Sequence, residues 1–182
     1  SREEEAERRI EKLLRELEKT NRDIHEEIRK ILERLRRTLK KVNDEDEKLN
    51  RDLEDTLRRR NVSEELADEA RKLHEENRRV NERLNREVEE IIERIKRLVD
   101  ELHKRTEEIK ETIKRIVDEM RREGRPVEDV LRRVKEIIDR VKEEHKRMLE
   151  EVRKIAKDLE EKIRAVLEES KKLAEDIKRR LT

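Results

Sequence analysis

Aliphatic residues recur along this chain at alternating steps of three and four, and few folds satisfy that spacing over such a length. From Ile10 the row runs Leu14, Leu17, Asn21, Ile24, Ile28, Ile31, Leu35, Leu39, Val42, Asp46, Leu49, Leu53 and Leu57. All of these fall on one face of an α-helix. The pattern stops at two places only. At Asn61-Val62-Ser63-Glu64-Glu65-Leu66, Ser63 is suited to cap a new helix, and Glu64 and Glu65 put negative charge in its first turn. Leu66 stands where a capping box needs a carboxylate or amide, so the cap rests on Ser63 alone. At Glu123-Gly124-Arg125-Pro126-Val127 the only glycine can take the left-handed position that ends a helix, and the only proline suits the start of the next. Asn43-Asp44-Glu45-Asp46 holds three poor helix formers, but the unbroken spacing from Leu39 to Leu53 predicts one continuous helix there. The expectation is therefore all-α: helices at about 2–60, 64–122 and 127–181, folded as an antiparallel up-down-up three-helix bundle with coiled-coil-like packing. Residues 1–182 would form a single elongated domain, a rod of roughly 85 to 90 Å at 1.5 Å per residue.

Composition narrows the possible functions. Charged residues make up 58 % of the 182 and hydrophobic ones 30 %, with no aromatic residue, which matches the long-helix class and not an ordinary globular core. Lysine and arginine number 53 against 52 acids, interleaved throughout. That balance argues against nucleic acid or a charged membrane surface as partner. There is no apolar run of membrane-spanning length and no secretory h-region, so a soluble chain is expected. Cysteine is absent, which removes disulfides and thiolate metal sites. The start at Ser1 without a methionine fits either a scar from a removed tag or an incomplete piece. Three helices at a little over two apolar residues per heptad need roughly 50 to 60 such residues. The chain holds about that number, leaving little for a second interface, so a monomer is favoured.

Polar residues interrupt the inward rows. Reading by sevens from Ala67 gives His74, Asn81, Val88, Ile95, Leu102, Ile109 and Ile116, an aliphatic row with an imidazole and a carboxamide at one end. A buried amide without a partner costs about 1 to 3 kcal/mol, so these groups are expected to pair across helices. Folding the chain at its two turns brings Asn21, His25, His103, Thr106 and His145 to one level. The same folding sets Asn43 opposite Asn81, Asn50 opposite His74, and Ser170 beside Asn77 and Asn81. These make a second layer, and Asp46, in the inward row, and Asn85, on the helix that carries His74 and Asn81, are further candidates for the buried polar network. Three histidines at one level are the ligand type that zinc prefers, but ligation needs converging nitrogens that spacing does not provide, so no metal or cofactor is assigned. Carboxylate pairs are too common in so acidic a sequence to mark a catalytic centre. No glycine-rich loop or nucleophile beside a base accompanies them, and no enzymatic activity is expected.

Three long regular helices, Glu, Lys and Arg at nearly every outer position, one Gly and one Pro both spent in a turn, and Asn, His and Ser set in layers together give the chain a particular style. It resembles de novo designed helical bundles with buried hydrogen-bond networks. The resemblance covers the whole chain and is one of class. It implies a structural scaffold without a natural substrate, produced recombinantly in the cytoplasm, in which polar layers fix helix register. It also implies an alternative, a helix-binding module or assembly building block that takes a partner helix or a second copy and responds to pH through buried histidine. Natural three-helix rods such as spectrin repeats are less similar, because their helices are typically shorter and carry core aromatics.

Overall fold

The computed structural model describes all 182 residues, Ser1–Thr182. It contains three helices, α1 (Arg2–Arg59), α2 (Glu64–Glu123) and α3 (Val127–Leu181), and no strand. Asn43 to Asp46 lie inside α1 without a break, because the apolar face on either side of them is buried and holds the backbone helical. Each helix packs against the other two, giving an all-α three-helix bundle.

Both turns are built by the residues that mark them in the sequence. The Leu66 amide donates to Ser63 Oγ at 3.3 Å, and the Ala67 amide to the Ser63 carbonyl at 3.0 Å. Gly124 has φ +63° while its amide still bonds the Met120 carbonyl at 3.1 Å. A Cβ there would meet no atom within 4 Å, so the backbone conformation and not space demands glycine. Ser1 caps α1 in the same way as Ser63 caps α2, accepting the Glu4 amide at 3.3 Å.

The tertiary contacts group into two compact units. The first comprises Ser1–Lys30 and Arg94–Arg153, the second Ile31–Glu93 and Lys154–Thr182. In the first unit the core joins Ala6, Ile10 and Leu17 to Ile109, Ile113 and Met120 and to Val130, Val134, Ile138 and Val141. Early α1 thus meets late α2 and early α3, which is the up-down-up order. The second unit has two apolar clusters. One is built on Leu35, Leu39 and Val42 with Leu84, Val88, Ile92, Ala156, Leu159 and Ile163, the other on Leu49, Leu53, Ala70, Ile177 and Leu181.

The buried stripe is wider than the single inward row. Ile92, Ile138, Leu149 and Ala156 are buried, whereas their neighbours Ile91, Ile137, Met148 and Ile155 are only partly so. A helix that touches two others needs more than a two-residue seam per heptad, and adjacent apolar residues serve the two contacts.

Candidate functional site

Buried polar side chains form a distinct group within each unit. In the first unit, Asn21 of α1, Thr106 of α2 and His145 of α3 are all buried. They lie one step along each helix beyond the apolar cluster, whose nearest members are Leu17, Ile109 and Val141. Asn21 Nδ2 donates to Thr106 Oγ1 at 2.7 Å, and Thr106 Oγ1 donates to the Leu102 carbonyl of its own helix at 2.9 Å. The amide oxygen of Asn21 lies 2.8 Å from His145 Nδ1. Because that oxygen only accepts, His145 must carry its proton on Nδ1, and Nε2 is left as a lone pair. Nε2 is buried and finds no partner in the protein. Burial is the main cause that pushes the imidazole below its usual pKa; Arg105 acts in the same direction and Glu144 opposes.

His25 and His103 do not join that group. Both are exposed, with ring centroids 5.7 Å apart and planes inclined at 52°. They stand at the edges of their stripes, where an imidazole reaches water at little cost. The expected five-residue layer is therefore a buried triad with a separate surface pair.

In the second unit the polar residues lie between the two apolar clusters. Asn43 and Asn85 exchange two amide hydrogen bonds, Nδ2 to Oδ1 at 3.0 Å and 2.9 Å. Asn85 Nδ2 also donates to the Asn81 carbonyl at 2.6 Å. Ser170 Oγ donates to Asn77 Oδ1 at 3.1 Å. His74 Nε2 stands 3.5 Å from Asp46 Oδ1, and Arg78 Nε is 3.5 Å from the other carboxylate oxygen, Oδ2.

Two expected pairings are corrected by this geometry. Asn43 meets Asn85 and not Asn81, one helical turn away on the same α2 face. His74 faces Asp46 and not Asn50, which is half-buried and forms no side-chain hydrogen bond. Counting levels from the turns locates a partner only to within a turn, and side-chain direction decides within it. One buried polar residue, Thr38, was not anticipated. It bonds the Arg34 carbonyl of its own helix at 2.9 Å, a local solution that gives no signal in inter-helix spacing.

The second group is less well satisfied than the first. Six buried side-chain polar atoms lack a hydrogen-bond partner in the protein, and five of them belong to Asp46, His74, Asn77 and Asn81. Both amide atoms of Asn81 are among them. No group of three or more His, Cys, Asp or Glu side chains is arranged to hold a metal ion. No helix is long and apolar enough to cross a membrane. No protein-family model, curated protein or solved structure matches the chain.

Proposed function

We propose that the chain is a structural scaffold of the designed-bundle kind, in which buried polar contacts between helices select one register. The observation that carries this reading is the directed chain from His145 through Asn21 to Thr106, with one member on each of the three helices. A one-turn slip of any helix would leave buried polar atoms unpaired, whereas an all-aliphatic stripe would tolerate the slip with small loss. The role needs neither substrate nor cofactor.

Replacing Asn21, Thr106 and His145 together by Leu, Val and Leu tests it. Exchanging a buried polar set for apolar residues is commonly neutral or stabilising, so the variant is expected to hold its denaturant midpoint or raise it. It is also expected to lose its single set of amide NMR resonances as other registers become populated. A variant with one sharp set of resonances and unchanged inter-helix contacts would show that these groups do not select register.

A second reading, a module that receives a partner helix, is favoured by the unsatisfied atoms of Asn77 and Asn81. Their burial weighs against it: Asn81 is 4 % and Asn77 9 % exposed, so a partner would have to displace a helix already present. Asn85, bonded to Asn43 and to the Asn81 carbonyl, has no amide hydrogen to spare.

A further inference from the structure

We infer that His25 and His103 form a surface chelate for zinc or a similar divalent transition-metal ion, joining α1 to α2 in the first unit. The two rings come from different helices, are exposed, and make no hydrogen bond to the protein. Their nitrogens are thus available at little cost in desolvation or broken contacts.

The separation of the rings fits tetrahedral ligation better than right-angled ligation. A zinc–nitrogen bond of about 2.0 to 2.1 Å places each imidazole centroid about 3.2 Å from the metal, so tetrahedral ligation sets two centroids about 5.2 Å apart. A right-angled pair, as in octahedral or square-planar ligation, would set them about 4.5 Å apart. The observed 5.7 Å lies nearer the tetrahedral value, and a shift of about half an ångström is within the side-chain freedom of exposed imidazoles. The 52° between the planes also keeps the rings out of a parallel stack, in which the nitrogens would not converge.

No third His, Cys, Asp or Glu side chain is placed with the two rings as a metal ligand. Glu26 pairs with Arg29 at 2.6 Å, and Glu107 with Lys110 at 3.4 Å. The site is therefore a two-nitrogen chelate completed by water, open to exogenous ligands at the remaining positions. The other two histidines, His74 and His145, are buried and take no part.

Zinc chloride titrated into the full chain tests the inference, with calorimetry for stoichiometry and NMR of the four imidazoles for location. One zinc is expected per chain, with shifts at His25 and His103 only and a rise in the denaturant midpoint that the single variants lack. His25→Ala and His103→Ala should each weaken binding at least tenfold. The double variant should be no more than about twofold weaker than either, because a chelate is lost with its first ligand. His145→Asn should leave zinc affinity unchanged. Retained helicity in each variant, expected for exposed positions, keeps the comparison valid. The inference is overturned if single substitutions leave affinity within twofold, if the two losses are additive as for independent sites, or if zinc instead shifts carboxylate-rich segments without the two rings.

Discussion

A proton on His145 has nowhere favourable to go. Nδ1 already donates to Asn21, so a second proton must enter at Nε2, which is buried and faces no acceptor. Burial accordingly lowers the folded pKa, while the unfolded ring keeps a value near about 6.5. As pH falls the unfolded chain takes up its proton first. The stabilisation from the neutral ring is thus complete above about 6.5 and is lost as pH falls from there through the lowered folded pKa. Denaturant midpoints at about pH 7 and 5 should fall for the parent and fall less for His145→Asn; equal losses would remove His145 as the proton-sensitive group. The Asn residues of the second unit separate by the same reasoning about partners. Asn43→Leu leaves Asn85 facing an apolar side chain and should cost about 1 kcal/mol, the lower end of the range for an orphaned amide because the pair is half-exposed. Adding Asn85→Leu should recover part of that in a double-mutant cycle. Asn81→Leu should act in the opposite direction. Its amide atoms are buried with no partner, so an apolar residue of similar size removes a penalty of about 1 to 3 kcal/mol, and the backbone carbonyl that Asn85 uses is kept. A fall in midpoint for Asn81→Leu would mean that its amide is satisfied in solution.

At the scale of the helices, stability depends on termini as well as faces. Ser63→Ala removes the only side chain that caps α2, at a cost of about 1 kcal/mol. Gly124→Ala should also cost about 1 kcal/mol, because it places a Cβ in the left-handed region. No neighbouring atom contributes to that cost, so Gly124→Asn, which tolerates this φ better, should lose less in the same urea titration. Those termini and all three helices were legible in the sequence, because a three-four repeat runs through each helix and Ser63, Gly124 and Pro126 mark its two interruptions. The polar partners were legible only to the nearest turn. Asn81 and Asn85 lie on the same face of α2, and which of them reaches Asn43 depends on side-chain direction that no repeat encodes. The histidines divided for a related reason. His145 sits at the centre of its stripe and turns inward, whereas His25 and His103 sit at the edges, where a shift of a fraction of a turn decides between core and water. Ile92 and Ile138 are buried more deeply than Ile91 and Ile137, on which a three-four row through each helix falls, since both members of each pair pack into the core.

For the whole molecule, the proposed self-contained scaffold predicts one chain in solution, and the distribution of apolar surface bears on that prediction. The large aliphatic side chains are buried or partly buried except Leu66 and Val80, each 39 % exposed. These two lie fourteen residues apart on α2, two heptads, so they share one face with the partly buried Leu73 between them. Three aliphatic side chains, none fully exposed, make a narrow strip, well short of the several hundred Å² of contiguous apolar surface that marks an association site. Around it both signs of charge alternate, and cross-helix pairs such as Arg180 with Glu69 at 2.6 Å cover neighbouring ground. Exposed pairs of this kind contribute only about 0 to 1 kcal/mol each, so they neither hold a dimer together nor exclude one strongly. Sedimentation equilibrium should therefore return the 22.5 kDa of one chain across a hundredfold range of concentration. Leu66→Lys with Val80→Glu should leave that mass unchanged. A parent that sediments as two chains and becomes one chain in this double variant would establish the α2 strip as a docking face and would favour the partner-helix reading over the self-contained scaffold. A two-chain mass that survives the double variant would locate the interface elsewhere, at the expense of a helix now packed inside the bundle.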